Sequence, residues 1–322
     1  MEFLNIFFPV SGVETNIFLP PLIALVISFF TSMGGVSGAF LLLPFQMSFL
    51  NFTSPSVSST NMLYNIVAIP SGVHRFIKEG RMAWPLTWVV IAGTLPGVFI
   101  GYYIRIFYLP DLRTFKLFVG CVLLYMGVRL FSEILGKGNK EKDGSQKLEE
   151  RIRRQREELQ KKSGGRFVSG LSNEAVIRTI SFDINKVVYE FWGERFSFNT
   201  LAMFSLALVV GIIGGTYGIG GGAIIVPFCV AVFRLPVYTV AGAALMGTFL
   251  TSIAGVLFYT FVPLNGMTAS PDWLLGLLFG AGGFCGIYLG ARCQKFVPQK
   301  FIKMVIGISI LSVALKYIIQ YF

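Results

Sequence analysis

The sequence predicts an all-α polytopic membrane protein made of two inverted-topology repeats of about five segments each, roughly eight to ten transmembrane segments, with glycine-rich broken or re-entrant helices. Three observations lead there: composition, an internal repeat, and the distribution of positive charge. Of 322 residues, 54% are hydrophobic, 32 are phenylalanine and only 13% are charged, against about 25% charged in soluble chains. Several apolar runs exceed the roughly 20 residues that a helix needs to cross the hydrocarbon core. The opening MEFLNIFFPVSGVETN carries Glu2 and lacks the basic region and small-residue cleavage site of a removable signal peptide.

The repeat is visible at an offset of 183 residues, where GVSGAFLLLP (35–44) matches GIGGGAIIVP (218–227), and Gly72 and Val73 fall on Gly255 and Val256. Further on, GTLPGVFIGYY (93–103) pairs with GGFCGIYLGAR (282–292), and LPDLRTFKLFVG (109–120) with VPQKFIKMVIG (297–307). The matches keep their order, which is the mark of an internal duplication.

Taken in order, the first half (17–136) gives apolar segments at 17–33, 38–50, 54–76, 84–107 and 112–136. The second half (198–321) gives 198–214, 219–233, 237–262, 272–291 and 299–321. In each half the glycine break separates the first segment from a short second one. The insert at 137–197 is polar. Its stretch KGNKEKDGSQKLEERIRRQREELQKK predicts a solvated helix over 145–162, and the alternation in VIRTISFDINKVVYEFWGERFSF predicts a hairpin turning at Asn185-Lys186.

Charge decides between two topologies. If each broken region is one span, Arg105, Arg113, Lys116, Arg234, Arg292, Lys295, Lys300 and Lys303 lie outside, and only Arg75, Lys78, Arg81 and Lys316 lie inside. That reverses the positive-inside rule. If the chain turns back at each break, the second-half loops change sides and the eight-to-four ratio favours the inside. The insert, which with Arg129 just ahead of it carries fifteen Lys and Arg up to Arg195, is cytoplasmic in either case. The turning-back topology places both termini outside a cell (inner) membrane, and it accounts for the net charge of +11 without a nucleic-acid partner.

At these residues the sequence resembles the sulfite exporter TauE/SafE family, also called the toluene-sulfonate uptake permease family. GIGGGAIIVP and GGVSGAFLLLP are similar to its paired glycine-rich signatures, and SGVHRFIKEGRMAW (71–84) to the stretch after its third segment. LGARCQKFVPQKFIKMVIG resembles its C-terminal segment. The resemblance covers both halves and leaves the insert unexplained. Ser37 stands where the family usually has glycine and Asn61 where it commonly has serine, so both add polar side chains. The resemblance implies a permease for sulfur-containing anions such as sulfite, sulfonates or related organosulfur acids.

Paired glycine breaks in inverted repeats point to the substrate site of a secondary transporter. Helix N-termini there offer N–H groups to an anion without a buried full charge. The candidate binding residues are therefore Gly35, Ser37 and Gly38 in the first break and Gly218, Gly220, Gly221 and Gly222 in the second. Close helix packing is the competing explanation for such glycines. Asn61 and Asn65 share a helix face, with Thr60 and Tyr64 beside them. Thr248 holds the repeat position of Asn65, and Thr251 and Ser252 lie one turn on. Asparagine in an apolar helix marks either a functional site or an interhelical bond, and the hydroxyls can bond their own backbone. His74 and Arg75, at the end of the third segment, read as a gate or anion-attracting mouth, with a snorkelling anchor as the alternative for Arg75.

Cys121, Cys229, Cys285 and Cys293 have no CxxC spacing and read as buried, small hydrophobes. No metal site and no cofactor are expected, and no GxxxxGK[ST] signature for ATP occurs. The partners expected are the anion, the bilayer and a coupling ion, H+ or Na+, with a homo-oligomer left open. The resulting function is alternating-access transport. Its competitors are an anion channel of the same architecture and a cysteine-dependent membrane sulfur relay, and the absence of a nucleophile with a partner base speaks against an enzyme.

Overall fold

The computed structural model describes residues 4–33, 37–78, 80–134, 176–191, 193–263, 269–293 and 299–322. Gly35 and the stretch expected to be a charged helix at 145–162 lie outside them. In the first half α1 (Leu19–Met33) and the short α2 (Ala39–Ser48) are followed by α3 (Ser56–Ala68), α4 (Pro70–Lys78), α5 (Trp84–Phe107) and α6 (Leu112–Ile134). The second half consists of α7 (Thr200–Tyr217), α8 (Ile225–Val232), α9 (Val237–Phe261), α10 (Trp273–Cys293) and α11 (Gln299–Ile319). Five of these, α5, α6, α7, α9 and α10, are long and apolar enough to cross a bilayer, and α1 and α2 are shorter apolar helices. Leu22, Val26 and Phe30 are exposed on α1, four residues apart, as an apolar stripe suited to lipid.

Two expected segments change. The segment at 54–76 is two helices, because Pro70 lacks the N–H to continue α3 and restricts the residue before it. The segment at 219–233 is helical only from Ile225, since residues 221–224 form turns after the glycines. Small sheets also supplement the helices. Strands β1 (Asn5–Phe8) and β2 (Val13–Asn16) form an antiparallel hairpin, an element not among those expected. It is tied down at Asp272, whose Oδ2 accepts the Ser11 N–H at 3.1 Å and hydroxyl at 2.9 Å while Oδ1 accepts the Leu275 N–H at the start of α10. Strands β3 (Arg178–Phe182), β4 (Lys186–Phe191) and β5 (Glu194–Asn199) form an antiparallel meander. Tyr189 anchors it to the start of α9 through a 2.8 Å hydroxyl contact with Thr239, and burial pushes that phenol above the usual tyrosine range.

Glycine registers show how the halves interlock. On α5, Gly93, Gly97 and Gly101 lie against the carbonyls of Phe204, Leu208 and Ile212 on α7. On α10, Gly282, Gly286 and Gly290 lie against the carbonyls of Pro21, Leu25 and Phe29 on α1. These are the same matched motifs, each packed on the first helix of the opposite half. Spacing by four keeps the glycines on one face, where backbones approach closely. A Cβ on Gly97 would sit 2.5 Å from the Leu208 oxygen and 2.9 Å from the Gly211 Cα.

Numbers rise together along both helix pairs, so α5 runs parallel to α7 and α1 to α10. Leu63 and Val67 face Gly276 and Gly280, and Val90 and Val98 face Gly247 and Gly255, making α3 parallel to α10 and α5 parallel to α9. Met62 meets Gly255 and Asn65 meets Ser252, so α3 and α9 cross antiparallel. Gly120 against Ala314 and Gly127 against Leu311 make α6 and α11 antiparallel too. Consequently α1 and α3 point the same way, and α7 and α9 point the other. The chain must double back at each glycine break, which a single span there would not allow.

The cysteines divide by environment. Only Cys229 is buried, with Cys293 intermediate and Cys121 and Cys285 exposed. The expectation of buried thiols fails for these two because they occupy outward faces of α6 and α10.

Candidate functional site

The two breaks and the two crossing helices meet at one place. From Ser56 to Asn65 every residue of α3 is buried, including Ser58, Ser59, Thr60, Asn61 and Asn65 at 0% exposure. Such polar content in an apolar interior persists only when it is hydrogen-bonded. The Asn61 Nδ2 donates to the Gly218 carbonyl at 2.9 Å and the Ala39 carbonyl at 3.1 Å, and its Oδ1 accepts from Gln46 Nε2 at 3.3 Å. The Asn65 Nδ2 donates to the Ile219 carbonyl at 2.9 Å and to Ser252 Oγ at 3.2 Å, and its Oδ1 accepts from the Ser37 hydroxyl at 3.3 Å. Two adjacent turns of α3 thus hold the edge of one break and the backbone of the other.

The second break owes its shape to its glycines. α7 ends at Gly218, in the left-handed conformation at φ +87°, with the Gly218 and Ile219 N–H groups both donating to the Gly214 carbonyl. A side chain there would meet backbone as well, since a Cβ would lie 2.5 Å from the Ser58 Cα. Gly220 is also left-handed at φ +81°, and it lies beside Ser252 and Thr248. The Gly221 N–H donates to Thr251 Oγ1 at 3.0 Å. Among the described residues, the buried N–H groups of Gly220 and Gly222 have no hydrogen-bond partner. Orphaned buried N–H groups are rare, and these two lie in one turn packed against Thr248, Ser252 and Ala244 of α9.

The hydroxyls separate into two kinds. Thr248 and Thr251 donate back to their own helix, to the Ala244 carbonyl at 2.8 Å and the Gly247 carbonyl at 2.6 Å. Ser252 accepts from Asn65 and makes no such bond to its own helix. No Asp, Glu, Lys, Arg or His takes part in this network among the described residues, and none of their acidic, His or Cys side chains cluster as metal ligands. Its electrostatics are those of oriented backbone and amide dipoles.

Of the expected site residues, Ser37, Gly38, Asn61, Asn65, Gly218, Gly220, Gly221, Gly222, Thr248 and Ser252 come together here. Gly35 lies outside the described residues. His74 and Arg75 are exposed on α4, beyond the Pro70 break and apart from the network. Two participants, Gln46 and Tyr217, escape a reading of the sequence, and Tyr64, expected only as a neighbour of the asparagines, takes part directly. Gln46, fully buried with Oε1 unpartnered, was visible as an amide inside an apolar arm. Tyr64 contacts Ser28 at 2.7 Å and closes over Gly38. Tyr217 donates to the Phe40 carbonyl at 2.8 Å and bridges the breaks.

The sequence model of the sulfite exporter TauE/SafE family matches residues 21–317. The chain belongs to that family. Among relatives, the probable membrane transporter protein YunE of Bacillus subtilis (strain 168) is 26% identical over 151 residues, 46% of this chain and 50% of the relative. The probable membrane transporter protein YdhB of the same organism is 26% identical over 98 residues, 30% of this chain and 36% of the relative. A probable membrane transporter protein of Xylella fastidiosa (strain Temecula1) is 28% identical over 114 residues, 35% and 42% of the two chains. The chain spans half or less of the length of these curated relatives. No solved structure matches it. The TauE/SafE match runs across both halves, both glycine breaks and the α3–α9 crossing. The chain is a multi-pass membrane protein of a transporter family.

Proposed function

We propose that the chain is a secondary carrier for small sulfur-containing anions, such as sulfite, sulfonates or related organosulfur acids, working by alternating access about the α3–α9 crossing. The observation that carries this is the pair of buried, unpartnered N–H groups at Gly220 and Gly222 beside Ser252. Backbone donors and one hydroxyl suit an oxyanion, and the glycines let α9 close directly onto these donors, so an anion reaches them only when α9 and the break separate. The sulfur class comes from the family's name.

Every side chain at the centre except the half-buried Ser37 is shut off from solvent, so substrate entry requires movement. Asn61 and Asn65 are the connections that must yield, since their amides join α3 to the backbone of the opposite half. When an anion takes an Asn65 donor, the Ile219 carbonyl loses its partner and the second break is freed to shift. Ligand binding and opening are linked in this way because they compete for the same N–H groups. In this scheme the insert at 137–197 is cytoplasmic, both termini lie outside an inner membrane, and H+ or Na+ supplies the driving force.

Thermal stabilisation of the purified chain by sulfite, thiosulfate, sulfate, sulfonates and carboxylates tests the substrate class. A true ligand stabilises by about 2.7 kcal/mol at a hundred times its Kd. The expected result is stabilisation by sulfite or a sulfonate at concentrations where acetate has no effect. Stabilisation by carboxylates alone would reject the sulfur class.

A further inference from the structure

Arg105, near the C-terminal end of α5, is fully buried at 0% exposure. Its Nη1 donates to the Leu109 carbonyl, and its guanidinium carbon lies 3.7 Å from the centroid of the Phe115 ring. Its Nε and Nη2 have no hydrogen-bond partner. Those two nitrogens share one edge of the guanidinium plane, the edge that donates two parallel bonds to one anion. Among the described residues no carboxylate is bonded to Arg105, although the Asp111 charge acts on it from the chain ahead. Asp111, further along the chain, is exposed and caps α6, accepting the Thr114 N–H at 3.1 Å and hydroxyl at 3.3 Å. The Thr114 N–H is the main reason its carboxyl is held below the usual range.

A second buried polar group lies within electrostatic reach of the first. The Tyr259 ring packs on Tyr102 with centroids 4.6 Å apart, one turn before Arg105 on α5. Its hydroxyl is buried with no partner in full hydrogen-bonding geometry, although the Ser58 hydroxyl approaches it and the Arg105 charge acts on it. Ser58 in turn donates to the Tyr217 carbonyl at 3.4 Å, the residue before Gly218. Contacts therefore run from Arg105 through Tyr259 and Ser58 to the central break. At the same end of the molecule a groove of about 410 Å³ is lined by Asp111, Arg113, Lys116, Tyr317 and Gln320 among others.

A buried guanidinium with an empty fork is strongly unfavourable unless something pairs with it. We propose that Arg105 and Tyr259 form an oxyanion-binding station, with Nε and Nη2 taking two oxygens of a sulfite- or sulfonate-class anion and the Tyr259 hydroxyl donating to it as well. As an oxyanion site the station stands by itself. As a waiting point on the route to the centre it rests on the carrier proposed above. Full burial favours a free anion over a lipid phosphate.

Equilibrium dialysis of the full chain in a maltoside detergent free of phospholipid, with radiolabelled sulfite, tests it by stoichiometry. The wild type is expected to bind two anions and Arg105→Gln one. Arg105→Lys keeps the charge without the fork and should weaken one site by roughly tenfold, as expected for loss of a charge-assisted bond. Tyr259→Phe, which removes only a hydroxyl, should weaken the same site and guards against an Arg105 variant that fails to fold. One anion bound by wild type, lost in Arg105→Gln and retained in Asn65→Ala, would uphold the station and reject the central site. Wild-type stoichiometry and affinity in Arg105→Gln, unchanged affinity in Tyr259→Phe, or no sulfite bound without phospholipid would overturn the station.

Discussion

Asn65→Ala is expected to reduce sulfite transport to less than a tenth of wild type, with Asn61→Ala close behind. Each amide makes two donations and accepts one bond, and each carbonyl left behind is buried. Hydrogen bonds between helices in membranes average about 0.6 kcal/mol and reach about 1.7, so three lost bonds amount to roughly 2–5 kcal/mol. That is a large share of the stability of a folded protein, and here it is concentrated where the halves join. Asn65→Asp is the sharper variant. It keeps size and acceptors but removes the donors to Ile219 and Ser252 and sets a negative charge against the anion. It should abolish transport even if the protein still purifies. Ser309→Ala, on an exposed face of α11, serves as the control and should transport normally. Uptake into proteoliposomes, normalised to inserted protein, measures all four.

The second large effect is on assembly. Gly97→Leu and Gly286→Leu are expected to prevent recovery of folded protein, and to do so about equally. The matched glycines occupy equivalent places, Gly97 against Leu208 on α7 and Gly286 against Leu25 on α1. In each case the obstacle is backbone, which cannot step aside as a side chain can. Overpacking a deformable core costs about 1–3 kcal/mol, so a rigid helix seam should reach or exceed the upper end. Gly247→Ala is the contrast, because its Cβ would press only on the Val90 side chain, at 3.0 Å, with the Gly222 Cα at an ordinary contact distance of 3.9 Å. It should express near wild type. Size-exclusion profiles and melting temperatures in detergent separate these outcomes.

Much of this plan was legible before any coordinates. The glycine motifs at 93–103 and 282–292 could be matched by eye, and the charge count required the chain to turn back. Their packing partners could not be read, because a four-residue spacing marks a face without saying which helix covers it. Asn61 and Asn65 stood out as amides in an apolar run, yet their acceptors are backbone carbonyls, which carry no sequence signature. Gln46 and Arg105 are hidden for related reasons. One lies in a short apolar arm, and the other reads as a marker of sidedness. Burial without a partner gives Arg105 its interest, and burial is a tertiary property. The N-terminal hairpin was missed because strands of four residues are too short for alternation to register, and the tie to Asp272 spans most of the chain.

The competition between anion and carbonyl for the Asn65 amide requires that binding and opening be coupled in a carrier cycle. Counterflow tests this most directly. Proteoliposomes loaded with unlabelled sulfite are diluted into trace radiolabelled sulfite, and the label inside is followed over time. The account predicts transient accumulation of label above equilibrium, saturating with internal sulfite and absent in Asn65→Asp. Flux that never overshoots, does not saturate and appears as unitary currents in a planar bilayer would contradict it.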